Sequence, residues 1–84
     1  MSWTLYIVRC SDGTLYTGIT NDLDRRLSMH DAGTGARYTR GRGPVELVYR
    51  EACADRSVAS RREAVVKRLS PRGKRALALS NRLK

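Results

Sequence analysis

The sequence predicts a small α+β domain: a three-stranded antiparallel sheet, made of an N-terminal hairpin plus a third strand, flanked by about three helices in the order ββαβαα. Three observations predict it. Two runs rich in aromatic and β-branched residues, 3–10 and 14–19, are separated only by Ser11-Asp12-Gly13. Two later stretches carry apolar residues at helical spacing behind capping side chains. Between them, residues 45–52 return to alternation.

The hairpin fixes which side chains meet. Gly13 suits the positive φ of a three-residue turn, which pairs Cys10 with Thr14 and sets Tyr6 opposite Gly18. Tyr6, Val8, Tyr16 and Gly18 then share one face, and the two tyrosine rings become diagonal neighbours. A two-residue turn would put the tyrosines on opposite faces. The first helix should be capped by Thr20 or Asn21, carry Asp22 and Asp24 in its first turn, and run to about Ala32 before Gly33. Leu23, Leu27 and His30 mark its inner face, with Arg26 beside that face.

Residues 33–44 hold four glycines and no acidic residue, and read as a loop. Arg37, Tyr38, Arg40 and Arg42 in it fit either a solvated linker or a basic track for a phosphate backbone. Asp55 should cap a second helix through about Leu69, with Val58, Val65, Val66 and Leu69 as its apolar stripe and Ala59 beside it. Ser70-Pro71 predicts a restart into a short basic helix over about 71–79, with the last residues frayed.

Composition bounds the function. The 84 residues make one domain, with a core over about 2–80 and little apolar surface to spare. No apolar run approaches the roughly 20 residues of a membrane span, and no secretory leader is evident. The expectation is a soluble, cytoplasmic protein. Cys10 and Cys53 form no metal-ligand spacing and read as buried, reduced thiols. Seventeen Lys+Arg face eight Asp+Glu, for a net charge of +9. Eleven of the seventeen fall in residues 43–84, and fourteen are arginine. That density of planar guanidinium groups favours a nucleic-acid partner.

No nucleophile triad or phosphate-cradling loop is present, so one histidine and eight carboxylates must supply any acid–base or metal chemistry. Glu63 falls at the edge of the second helix's buried face, four residues after Ala59 and three before Val66. On spacing alone it reads as the i, i+4 partner of Lys67. A single glutamate is nevertheless enough for a catalytic Mg²⁺ that takes its other ligands from water and phosphate. Tyr6 and Tyr16 by themselves fit core aromatics, and Arg26 and His30 fit ordinary helix residues.

Taken together, these residues resemble the GIY-YIG nuclease domain. Thr4-Leu5-Tyr6 and Tyr16-Thr17-Gly18 stand where that family has its two naming motifs, with the tyrosines ten residues apart. Arg26 follows Tyr16 by ten, His30 follows one helical turn later, and Glu63 lies on the later helix. The resemblance covers about residues 2–70, and residues 16–27 and 36–49 look like the small stand-alone bacterial members. Two positions depart from the commoner pattern: Ile19 replaces a lysine, and Arg75 stands where many members have an asparagine.

The resemblance implies a metal-dependent endonuclease acting on DNA, more than RNA, with little sequence specificity, on structured or repair-related substrates. Glu63 would hold one Mg²⁺ or Mn²⁺, mainly once substrate is bound. Arg26 would hold the scissile phosphate. Tyr6 or Tyr16 would orient or deprotonate the attacking water, as a phenolate favoured by Arg26 and the metal, with His30 sharing the proton. Gly18 would leave room for the phosphate, and Arg25, Arg37, Tyr38, Arg40 and Arg42 would contact nucleic acid. A non-catalytic nucleic-acid-binding module and an interaction domain of a DNA-processing complex are the alternatives.

Overall fold

A computed structural model describes residues 2–32 and 44–80. Its elements follow the expected order: β1 (Trp3–Arg9), β2 (Leu15–Thr20), α1 (Leu23–Asp31), β3 (Glu46–Cys53), α2 (Arg56–Lys67) and α3 (Pro71–Ser80). The sheet is antiparallel with strand order β2-β1-β3.

The hairpin has the register that the turn chemistry predicts. Cys10 N–H donates to Thr14 C=O at 2.8 Å, and Gly13 adopts φ 86°. Tyr6 therefore pairs with Gly18, and Val8 with Tyr16. The pairing of β1 with β3 carries a register shift: Ile7 faces Tyr49 but Val8 faces Leu47, which leaves Val48 as the extra residue of a bulge. Simple alternation over residues 45–52 gave no sign of it.

The two sheet faces differ in character. Leu5, Ile7, Tyr49 and Cys53 point to one face and pack with Ala59 and Val66 of α2, with Leu77 and Ala78 of α3 alongside. This is the hydrophobic core. Tyr6, Tyr16 and Gly18 point to the other face, where His30 of α1 meets both tyrosine rings. Cys10 and Cys53 are buried free thiols.

Three expectations are corrected. The cap of α1 is Asp22, whose carboxylate accepts from Arg25 N–H at 3.3 Å; Thr20 and Asn21 do not cap it. The Thr20 hydroxyl is taken up one step earlier, accepting from Asp22 N–H at 3.0 Å. On α1, His30 is buried, while Leu23 and Leu27 are only half-buried.

The third correction bears on the site. Val58, Val65 and Leu69 of the expected α2 stripe are exposed, at 36%, 49% and 37%. The inward positions are Ala59, Arg62, Glu63 and Val66, which keep i, i+3, i+4, i+7 spacing. The helix is rolled so because Ala59 lets its backbone approach the sheet, and because Arg62 reaches Glu51 on β3. Caps at Asp55 for α2 and Ser70 for α3 are as the sequence predicts. The basic loop, with Arg37, Tyr38, Arg40 and Arg42, and the chain's last four residues lie outside the described residues.

Candidate active site

Tyr6 is the centre of the candidate site. It is fully buried, and its hydroxyl lies 2.8 Å from His30 Nε2. The ring leans over β2: a Cβ built at Gly18 would stand 2.6 Å from the Tyr6 hydroxyl oxygen and 2.7 Å from Cζ. Only glycine leaves room for the phenol there. Tyr16 completes an aromatic triangle, with its ring centroid 6.5 Å from Tyr6 and 5.3 Å from His30.

Arg26, one helical turn before His30, lies against the Tyr6 hydroxyl and also reaches Tyr16. Its Nε–H is buried without a partner. A guanidinium can only donate, so it uses a lone pair of the Tyr6 oxygen. The Tyr6 hydroxyl and His30 Nε2 share one hydrogen bond, whose direction follows the tautomer of the histidine. The resulting chain runs Arg26 to Tyr6 to His30.

The charge states agree with that chain. Burial raises the Tyr6 pKa above 10.0, although Arg26 pulls it down; Tyr16 and Glu63 add to the rise. Burial lowers the His30 pKa below 6.5, and the positive charge of Arg26 lowers it further. Both groups are thus neutral near pH 7. Without a metal, desolvation outweighs the attraction of Arg26, and Tyr6 stays a phenol.

Glu63 stands apart from the hydrogen-bonded cluster. It is half-buried on α2, near enough to raise the Tyr6 pKa, and pairs with Lys67 at 3.4 Å. The plain i, i+4 pairing is therefore present. Arg25 is exposed on α1 and shares with Arg26 and Met29 a shallow hollow of about 220 Å³. A larger hollow of about 580 Å³, lined by Leu15, Leu47, Val48, Ala78 and Leu79, lies away from these groups. It is mostly apolar and holds none of the cluster's polar atoms.

Among the described residues no group of three or more His, Cys, Asp or Glu could hold a metal ion. A structural metal does not fit. A single half-buried carboxylate beside a site with an unpaired guanidinium donor does fit Mg²⁺ or Mn²⁺ bound jointly with a phosphate.

Sequence reasoning missed Tyr49, Glu51 and Arg62. The Tyr49 hydroxyl donates to Glu51 Oε1 at 2.6 Å, and Arg62 Nε–H lies 2.9 Å from Glu51 Oε2 and 3.2 Å from Oε1. The signal available was a tyrosine and a glutamate two apart on β3, the spacing that puts both on one face.

Comparison with known proteins shows the family to which the chain belongs. The model of the GIY-YIG catalytic domain matches residues 2–76. The chain is 60% identical over 77 residues to the UPF0213 protein of Desulfotalea psychrophila, covering 90% of this chain and 70% of that one. It is 46% identical over 80 residues to the UPF0213 protein of Clostridium perfringens, covering 95% and 86%. Its fold is similar to the solution NMR structure of the UPF0213 protein from Bacillus halodurans, with a TM-score of 0.63 at 47% identity over 96% of this chain and 86% of that one. A match of this extent makes the chain a member of the GIY-YIG family, within a superfamily of nucleases.

Proposed function

We propose that the protein is a divalent-metal-dependent endonuclease that hydrolyses phosphodiester bonds, in DNA more than RNA, with little sequence specificity. The observation that carries this reading is Arg26. Its guanidinium interacts electrostatically with the neutral Tyr6 phenol, and its buried Nε–H has no acceptor among the described residues. A phosphate oxygen is the acceptor that such a donor suits.

The chemistry follows from the hydrogen-bond chain. The attacking water gives its proton to the Tyr6 oxygen as the Tyr6 proton passes to His30 Nε2. Hydroxide then attacks phosphorus, and the leaving oxygen departs and takes a proton from solvent. His30 ends as an imidazolium. In the free protein the charge of Arg26 opposes that step, since it lowers the His30 pKa. A bound phosphate offsets the Arg26 charge, so substrate itself makes the relay more favourable. Arg26 also stabilises the extra negative charge of the transition state. A divalent ion held by Glu63 would supply Lewis-acid stabilisation of the phosphate and leaving group. Tyr16 packs the Tyr6 and His30 rings and restricts their orientation.

Arg25 extends the cationic surface beside Arg26, and the net charge of +9 supplies backbone contacts that do not read sequence. No helix of the described residues is long and apolar enough to cross a membrane.

The test is a panel of labelled single-stranded, duplex and branched DNA and duplex RNA, incubated with the protein in Mg²⁺, Mn²⁺ or EDTA. Cleavage with either ion and none in EDTA is the expected result. Tight binding without cleavage in any condition would favour a binding module, and neither binding nor cleavage would favour an interaction domain.

A further inference from the structure

The roll of α2 about its own axis decides where Glu63 points. Ala59 and Val66 are fully buried and set how closely α2 approaches the sheet. They lie seven residues apart on one line of the helix, and a helix resting on one line of contact can roll. Arg62 breaks that freedom. Its guanidinium grips both oxygens of Glu51, at 2.9 and 3.2 Å, and Tyr49 holds one of them at 2.6 Å. The pair is only partly exposed, at 36% for Arg62 and 27% for Glu51.

Arg62 directly precedes Glu63. Successive helix residues are turned by a fixed angle of about 100°, so holding one side chain on β3 fixes the direction of the next. The anchor end is equally well placed. Glu51 pairs with Leu5 on β1, the residue before Tyr6. The placement of the Glu63 position relative to β1 is thus set through one ion pair and one rung of the sheet.

We propose that Glu51 and Arg62, braced by Tyr49, are positioning residues that aim the Glu63 carboxylate at the candidate site; this rests on the reading of Glu63 as the ion-holding group. Glu51 turns its carboxylate to Arg62 and Tyr49.

The test uses the full ¹⁵N-labelled chain titrated with Mn²⁺ at a fixed, saturating concentration of thymidine monophosphate as the phosphate partner, reading paramagnetic broadening of the Ala64 and Gly18 amide signals. Thermal midpoints are measured on the same samples. Glu51→Gln and Arg62→Met should each raise the Mn²⁺ concentration for half-broadening about tenfold, as outer partners of metal ligands do. The double variant should be no worse than either alone. Asp55→Ala, which weakens the same helix at its cap, should lower the thermal midpoint and leave the Mn²⁺ midpoint unchanged. If Arg62→Met does not fold, Glu51→Gln, which keeps the shape of the side chain, carries the test.

The clamp is overturned if Glu63→Ala abolishes the broadening while Glu51→Gln and Arg62→Met leave its midpoint unchanged, or shift it no more than Asp55→Ala does. If Glu63→Ala broadens like the wild type, or the wild type shows no local broadening, the ion-holding role of Glu63 fails and the clamp falls with it.

Discussion

The Tyr6 hydroxyl is held from three directions, by His30, by Arg26 and by the bare backbone of Gly18. Each direction makes a separate demand. Gly18→Ala would force the phenol aside, because a methyl group at 2.6 Å from its oxygen has no room. The expected outcome is a stability loss of about 1–3 kcal/mol, as for other overpacked sites. Cleavage should fall about a hundredfold, since displacing a catalytic group by an ångström costs that much. Urea unfolding and single-turnover cleavage check the two. Tyr6→Phe removes the buried hydrogen bond to His30 Nε2, and should cost about 1–3 kcal/mol.

The same burial sets a pH dependence. The folded His30 pKa lies below the ordinary 6.5, so near and below that value the unfolded chain takes up a proton that the folded chain refuses. Its contribution to stability is complete above about pH 6.5 and declines as pH falls. Tyr6 acts in the opposite sense. With its folded pKa above 10.0, its contribution is complete below that value and declines as pH rises past it. Thermal melts should show a midpoint that drops from pH 7 to pH 5, with a smaller drop in His30→Gln.

At this scale the sequence was informative about position and not about state. Turn chemistry at Ser11-Asp12-Gly13 was enough to place Tyr6 over Gly18 and beside Tyr16. The protonation of Tyr6 depends on burial beneath α1, a tertiary fact that no local pattern carries.

Among the elements, α2 matters most because it carries Glu63. Its start is fixed by Asp55, whose carboxylate accepts from Val58 N–H at 2.9 Å. Asp55→Ala should cost about 1 kcal/mol, the usual worth of a cap. In a domain of this size that lowers the thermal midpoint by about 4–8 °C, measurable by circular dichroism. The cap was readable from the sequence, as were the strand and helix order and the restart at Ser70-Pro71. The roll of α2 was not. Periodicity offered Val58, Val65, Val66 and Leu69 as the stripe with Ala59 beside it; Val66 and Ala59 are buried, while Val58, Val65 and Leu69 are exposed and charged Arg62 turns toward the sheet. The Arg62–Glu51 ion pair, across to β3, is a tertiary contact that periodicity does not carry. The Val48 bulge escaped for a related reason, since it depends on how β3 meets β1.

For the whole molecule, charge is the dominant property. Arg25, Arg50, Arg61, Arg68, Arg72 and Arg75 are all exposed, and the chain carries +9 overall. Binding to nucleic acid should therefore weaken steeply with salt. Each neutralised phosphate contributes about 0.9 to the slope of log affinity against log salt on duplex DNA, so four or more contacts give a slope of about −3.6 or steeper. Fluorescence anisotropy between low and moderate salt measures it, and a flat response would argue against phosphate-led binding. Composition alone announced this charge, and the helix spacing brought Arg26 and His30 to the same face. What composition could not announce is the apolar hollow by Leu47 and Ala78, which exists only because α3 folds back beside the sheet.

The central claim is that the Tyr6–His30–Arg26 cluster and Glu63 make one phosphodiesterase site. The most direct measurement is single-turnover cleavage of a labelled DNA duplex in Mn²⁺ by wild type, Arg26→Ala and Glu63→Ala, with folding of each confirmed by circular dichroism. The account predicts cleavage by the wild type, suppression by EDTA, and a loss of about a hundredfold or more in each variant, as when a principal charge-stabilising group is removed. Cleavage that survives EDTA, or proceeds in folded Arg26→Ala and Glu63→Ala at the wild-type rate, would contradict it.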